Sequence, residues 1–177
     1  MAPKSLASDL TIKKSKRSAT AERYSGKKKR HTLKSLVISG PDRFISYVSH
    51  LFGGHVHDYT MMKTEFDVKL PWFKKKTMLA DLGFLGANKD YEPEFKIVLP
   101  HKKPRKSKKN PSPALTEEQE KANKAHAQKR VAVEHAIGGM KHFHCLTHRV
   151  RNQSVSFIDQ FLGLRAGLGN FNIAENP

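Results

Sequence analysis

Two β-rich runs stand in the first third of the chain. One extends from His31 to Ile38 and the other from Arg43 to Ser49. Gly40 and Pro41 separate them, and both residues are typical of a tight turn. The pattern predicts an antiparallel β-hairpin.

The middle of the chain changes from a helical pattern to a strand-like one. Tyr59, Met62 and Phe66 recur at helical spacing, after a glycine-rich loop whose Asp58 can cap the helix. Short apolar runs at 77–81 and 95–99 then predict two strands. The first of these strands stops on a carboxylate, Asp81.

The last third of the chain predicts two helices. Thr116 and Gln119 have the spacing of a capping box at the start of the first. Its apolar seam consists of Ala122, Ala125, Val133, Ile137 and Met140. The second helix is expected at 156–168. Strands followed by helices in this order predict an α/β fold.

The N-terminal segment differs from the rest in composition. Residues 15–20 are almost without apolar side chains, and order is expected to begin near Tyr24. Met1–Ser8 is too short and too polar to predict a convincing strand. We therefore expect residues 1–23 to be a basic, mostly flexible segment and residues 24–177 to be the folded domain.

Charge narrows the functional classes. Lys and Arg number 33 against 16 Asp and Glu, so the net charge is +17. Such a chain is typical of a polyanion partner, most often nucleic acid, rather than of an enzyme for neutral metabolites. The single Cys145 excludes a disulfide framework and a four-cysteine zinc site. No apolar run approaches the roughly 18 residues that a membrane span needs, and no signal peptide is evident.

Three carboxylates stand at positions in the sequence that suit a catalytic or metal-binding role. Asp81 ends an apolar strand, Glu134 lies at the edge of a helical seam, and Asp9 stands in a Ser-Asp-Leu-Thr setting. Any one of them, taken alone, is also explained as a cap or a surface charge. Carboxylates that cluster repel one another, so a cluster would need Mg²⁺ or Mn²⁺ to neutralise it.

Four segments in order carry a family resemblance. They are Tyr24–Lys34, Gly54–Asp58, Leu79–Gly86 and Arg130–Ile137. So arranged, they closely resemble the catalytic domain of DDE insertion-sequence transposases, in the branch related to Harbinger elements. The resemblance implies a ribonuclease H-like mixed sheet flanked by helices, which cuts and joins DNA at element ends.

The resemblance also assigns site residues. Asp81 matches the second Asp of the family's metal site, Glu134 matches its Glu, and Asp9 is the acid placed for the first Asp. These three would be the catalytic residues and the ligands of two Mg²⁺ or Mn²⁺ ions. An insertion-sequence origin implies the cytoplasm or nucleoid of a prokaryote.

Basic residues are the candidate contacts to DNA. A block near the hairpin, a polar insertion at 101–113 and the long helix supply them: Lys27, Lys28, Lys29, Arg30, Lys102, Lys103, Arg105, Arg130 and Lys141. No base-reading element is evident, so binding should be largely independent of sequence. We expect a homo-oligomer on DNA and no membrane partner.

An alternative from another class stays open. Family members carry a helical DNA-recognition region before the first Asp, and this chain begins at that point. It is expected to be a truncated or split-frame copy, with a separate chain supplying recognition. The alternative is a non-catalytic basic nucleic-acid-binding protein or an inactive transposase remnant.

Overall fold

A computed structural model of the protein describes residues 4–7, 12–14, 24–25, 30–74, 76–91, 96–108, 110–142, 146, 149–150 and 154–175. These residues form a mixed α/β structure, as the sequence predicts. The strands are β1 (Lys4–Ala7), β2 (Ile12–Lys14), β3 (Tyr24–Ser25), β4 (Arg30–Lys34), β5 (Val37–Ser39), β6 (Ile45–Val48), β7 (Phe52–Gly53), β8 (Thr77–Leu79), β9 (Lys96–Val98) and β10 (Arg149–Val150). The helices are α1 (Asp58–Glu65), α2 (Ala87–Tyr91), α3 (Glu117–Lys141) and α4 (Val155–Glu175), and a 3₁₀ helix spans Leu82–Phe84.

The larger sheet has the strand order β6-β5-β1-β8-β9. β5 is antiparallel to both of its neighbours, whereas β1, β8 and β9 run parallel to one another. A second sheet has the order β10-β2-β4-β3, and β7 pairs with β4. Because parallel strands end at the same edge, the carboxyl ends of β1, β8 and β9 lie side by side, where ligand-binding residues gather in such sheets.

β1 occupies the centre of the larger sheet, although its sequence is polar. Its backbone pairs antiparallel with β5 on one side and parallel with β8 on the other. The expectation that Met1–Ser8 forms no strand is therefore wrong for Lys4–Ala7. A strand with partners on both sides is held by backbone hydrogen bonds and by its neighbours, so its own pattern is a weak guide. Residues 15–23 lie outside the described residues, and the domain division after residue 23 stays a prediction.

Helices cover both faces of the larger sheet. Neighbouring residues of the β5 region alternate between two cores, because side chains of a strand point to opposite faces. The core against α3 and α4 contains Leu33, Val37, Ile45, Val133, Ala136, Ile137, Met140, Leu146, Ile158, Leu162 and Ala166. The core against α1, α2 and the 3₁₀ helix contains Leu36, Ile38, Met61, Met62, Phe66, Met78, Ala80, Phe84, Ala87, Tyr91 and Ile97.

The hairpin prediction is confirmed in part. β5 and β6 pair antiparallel around the turn at residues 40–43, where the Gly40 amide donates to the Phe44 carbonyl at 2.9 Å. Arg43 adopts a positive φ of 68° to close that turn. The first predicted run is divided, however, because its beginning forms β4 in the second sheet and its end forms β5.

The long helix α3 begins as predicted, but its apolar contacts with the core lie in its second half. Its Thr116–Gln119 capping box is present. In the first half His126 is buried, with its Nε2 3.1 Å from the Val98 carbonyl of β9. Ala122 and Ala125 are exposed, so the predicted seam is wrong there, whereas the seam from Val133 onward is buried. The first turns extend beside residue 101 instead of over the sheet, and the Asn123 amide bonds the His101 backbone at 2.7 and 3.0 Å.

Polar contacts fix α4 against β6. The Asn170 side chain accepts from the Ile45 amide at 2.7 Å and donates to the Ile45 carbonyl at 2.9 Å. Asp159 accepts from the Leu51 amide at 3.1 Å and contacts His50 Nδ1 at 2.7 Å, and this hydrogen bond raises the pKa of His50. The helix continues to Glu175, beyond its predicted end.

Tyr91 ties α2 to the end of α1. Its hydroxyl donates to the Phe66 carbonyl at 2.5 Å, and burial raises the pKa of the phenol to about 12. The ring lies in the second core. The hydroxyl therefore satisfies a carbonyl that the chain leaves unpaired after α1 ends.

We predict that Tyr91→Phe lowers the free energy of unfolding by about 1 to 3 kcal/mol, because a buried carbonyl loses its donor. Urea denaturation measures the change. Tyr59→Phe is the matched control, since the Tyr59 hydroxyl bonds Asp90 at the surface, and its loss should cost about 0.5 kcal/mol or less. Equal losses in the two variants would contradict the assigned role of Tyr91.

Candidate active site

Asp81 stands at the carboxyl edge of the larger sheet. β8 ends at Leu79, and buried Ala80 donates its amide to the Val98 carbonyl of β9 at 3.0 Å. Asp81 Oδ1 then accepts from the Leu82 amide at 2.6 Å and caps the 3₁₀ helix. That hydrogen bond fixes the carboxylate where the strand stops and leaves Oδ2 for another partner.

Arg130 brings Glu134 to the same place. Arg130 and Glu134 are four positions apart on α3, so their side chains share one face of the helix. Arg130 Nη2 lies 3.6 Å from Glu134 Oε1, and Arg130 Nη1 lies 3.8 Å from Asp81 Oδ2. One guanidinium thus lies between a carboxylate of the sheet edge and a carboxylate of the helix.

Burial differs sharply between the arginine and the two acids. The Arg130 side chain is 16% exposed, whereas those of Asp81 and Glu134 are 57% and 55% exposed. Arg130 Nε is buried and has no hydrogen-bond partner in the part of the chain that the structure describes. Both ion-pair distances exceed the 2.7 to 2.9 Å of a charge-assisted hydrogen bond. The arginine therefore offsets part of the negative charge of the two carboxylates, which stay open to solvent.

The third candidate acid lies outside the described residues. Asp9 follows β1 by two positions, and β1 ends at Ala7. β1 pairs with β8 in a parallel register of Lys4 with Met78 and Ser5 with Leu79. The same offset brings Ala7 level with Asp81, so β1 ends at the edge that carries Asp81.

A further carboxylate, that of Asp58, borders the turn after Asp81. Lys34 Nζ lies 3.1 Å from Asp58 Oδ1 and donates to the Val56 carbonyl at 3.0 Å. A Cβ built on Gly83 would lie 2.5 Å from Asp58 Oδ2. Asp58 therefore packs directly on the 3₁₀ helix that Asp81 begins. The prediction that Asp58 caps α1 is wrong, because His57 holds that position and its Nδ1 accepts from the Tyr59 amide at 3.3 Å.

The candidate DNA contacts fall into different environments. Lys102, Lys103 and Arg105 are exposed in the loop before α3, and Lys141 is half-buried at its end. Arg130 is occupied by the two carboxylates. Lys27, Lys28 and Lys29 lie outside the described residues, and of Arg30 the structure gives its place as the first residue of β4.

Within the described ranges, no three His, Cys, Asp or Glu side chains converge into a group that could hold a metal ion. His142 ends α3 as its cap, while His144, Cys145 and His148 lie outside the described residues. No described helix has both the length and the apolar character to cross a membrane.

Comparison with known proteins decides the family. A model of the DDE superfamily endonucleases matches residues 8–170. The chain belongs to this superfamily. Membership implies a nuclease that acts on DNA, and endonucleases of this superfamily generally use divalent metal ions. Asp81 and Glu134 both lie inside the matched range of this DDE endonuclease. Neither a curated protein nor a solved structure is significantly similar to the chain.

Two features of the site were not predicted from the sequence. The bridging position of Arg130 could have been suspected from its i,i+4 spacing to Glu134, which favours an ion pair on a helix. The Lys34–Asp58 pair joins β4 to α1, and no local spacing signals a contact between residues so far apart.

We predict that Gly83→Ala lowers the free energy of unfolding by about 1 to 3 kcal/mol, because its Cβ overlaps a carboxylate that Lys34 holds in place. Gly138→Ala is the control, since nothing lies within 4 Å of a Cβ at that helical position. It should raise the stability by about 0.5 to 1 kcal/mol. Urea unfolding of both variants measures the difference, and a neutral Gly83→Ala would show that Asp58 is not held against the turn.

Proposed function

We propose that the protein is a transposase-type DNA endonuclease and strand transferase, which cuts and joins the ends of a mobile element. The observation that carries the proposal is the meeting of Asp81 and Glu134 on Arg130, at the edge where the parallel strands end. The four family-like segments support the narrower assignment to Harbinger-related insertion-sequence transposases. The mixed sheet with helices on both faces supports a ribonuclease H-like fold.

The side chains at this site suit hard divalent cations. Carboxylate oxygens are the ligands that Mg²⁺ and Mn²⁺ prefer. The Asp81 and Glu134 carboxylates are both about half exposed, and they already have the positive charge of Arg130 beside them. Asp81 and Glu134, together with Asp9, would hold two such ions. When bound, the ions supply activation of the attacking oxygen and stabilisation of the leaving oxygen at the phosphate.

The protein's own residues would hold the Asp81 and Glu134 carboxylates in fixed positions relative to each other. The capping bond from the Leu82 amide restrains the Asp81 carboxylate, and α3 carries Glu134 on a rigid element. A site built on strand ends and helices keeps its geometry better than one built on loops. Little rearrangement of the backbone is then needed before the acids act together.

Basic residues would hold the DNA backbone. Lys102, Lys103 and Arg105, with Lys141 and the block at 27–30, supply charges that can contact phosphates. Such contacts fix the position of the duplex but carry no base information, and they weaken steeply as salt rises. DNA binding should therefore be strong at low salt and largely independent of sequence.

One observation favours the alternative of a non-catalytic nucleic-acid-binding protein. Over the described residues two acids, rather than three, come together, and an arginine already offsets part of their charge. A structural ion-pair network would have the same appearance. Asp9 decides between the two functions, because a complete site requires a third carboxylate at this edge.

We predict that the purified chain nicks supercoiled plasmid with Mn²⁺ or Mg²⁺ and not with EDTA. Asp81→Asn and Glu134→Gln should each lower the nicking rate by about 100-fold or more, as loss of a transition-state contact does. Their affinity for DNA should be equal or higher, because a charge that repels phosphate is removed. Glu120→Gln is the matched control, since Glu120 is an exposed acid of the same helix α3.

The outcomes separate the two functions. Persistent nicking in both variants, or weaker DNA binding with cleavage retained, would contradict the assigned roles of the acids. No nicking by any of the proteins, with salt-sensitive binding intact, would favour the non-catalytic alternative.

A further inference from the structure

α4 carries an apolar stripe on the face that points away from the sheet. Phe157, Leu164, Leu168 and Phe171 leave between 42% and 60% of their surface exposed. Together with half-buried Phe161 they are spaced by four, three, four and three residues, which is the seam spacing of paired helices. The rings of Phe157 and Phe161, at the start of the stripe, stack at a centroid distance of 6.4 Å.

The opposite face of α4 is buried against the rest of the protein. Ile158, Leu162 and Ala166 lie in the core against α3. Arg165 is buried and donates to the Met140 carbonyl at 3.1 and 3.2 Å. These contacts fix the rotation of the helix, so the stripe stays on the outside.

The outer face lacks charge to an unusual degree for this protein. Between residues 160 and 174 Arg165 is the sole charged residue, and it points inward. A surface helix of a globular protein normally carries charged residues on its outer side, and an apolar outer side indicates that something covers it. In a chain with a net charge of +17, an uncharged face is also where two copies can approach with the least local repulsion.

Two glycines border the stripe. In the part of the chain that the structure describes, nothing lies within 4 Å of a Cβ built on Gly163 or Gly167. Each glycine inside a helix costs about 0.5 to 1 kcal/mol relative to alanine, and packing among the described residues does not explain the cost. Small residues four positions apart let the backbone of a second helix approach closely.

We propose that the outer face of α4 is a dimer interface, which packs against the same face of a second copy about a two-fold axis. A self-complementary stripe suits such an isologous contact. The four exposed side chains offer roughly 350 Å² per copy, taking about 200 Å² for a whole phenylalanine and somewhat less for leucine. Stable interfaces bury about 800 Å² per partner, so the dimer is weak and depends on concentration. The proposal rests on α4 alone and not on the proposed chemistry.

Sedimentation velocity over about 1 to 200 µM tests the proposal, in 0.5 M NaCl to screen charge and remove nucleic acid. The wild-type sedimentation coefficient should rise with concentration. Leu164→Glu, and independently Leu168→Glu, should raise the dissociation constant at least tenfold. Leu70→Glu is the matched control, because Leu70 is equally exposed but lies in the loop after α1, and it should associate as the wild type does.

Circular dichroism and thermal melting first show that each variant is folded. A wild type that stays monomeric over the whole range would overturn the proposal, whatever else then covers the stripe. Unchanged association of both α4 variants would overturn it as well, because the contact would lie elsewhere.

Discussion

Electrostatic balance at the carboxyl edge of the sheet is the constraint on which the candidate site depends. Two carboxylates that belong to different elements would repel each other there. Arg130 offsets that repulsion, since a guanidinium stays charged at any working pH and can face both acids at once. Its burial keeps it in place, while the acids remain open to solvent. Under the proposed function, a cation held by the acids would compete with Arg130, and the arginine would set how tightly the cation binds.

The sheet explains why the acids meet. β1 lies between the antiparallel strand β5 and the parallel strand β8. It is therefore the innermost of three adjacent parallel strands, β1, β8 and β9. The chain leaves β8 and turns into the 3₁₀ helix at the level where β1 also stops. α3 crosses the same sheet and presents Glu134 to this edge. The contact of Asp58 with Gly83 supports the turn from behind, and Lys34 holds Asp58 there.

Elements with a local signal could be predicted from the sequence, and elements decided by distant contacts could not. The capping box at Thr116, the strand before Asp81 and the hairpin turn at Gly40 each depend on a few neighbouring residues. β1 was missed because its place in the sheet is set by backbone pairing with β5 and β8, which are distant in sequence. The exposed start of α3 was missed because a helical seam does not say where the sheet beneath it ends. The catalytic roles of Asp81 and Glu134 remain assignments from the family resemblance. Their closeness to the same arginine supports these assignments.

Mn²⁺ binding to Arg130→Gln, measured by the loss of the free-ion paramagnetic resonance signal, tests the central claim most directly. If Arg130 shares Asp81 and Glu134, its removal should tighten Mn²⁺ binding at least about fivefold, since even two unit charges 4 Å apart in water interact by on the order of 1 kcal/mol and Mn²⁺ carries two. The gain should disappear when Glu134→Gln is added. Equal or weaker Mn²⁺ binding by Arg130→Gln would contradict the account, because the arginine would then not be the counter-ion of the two acids.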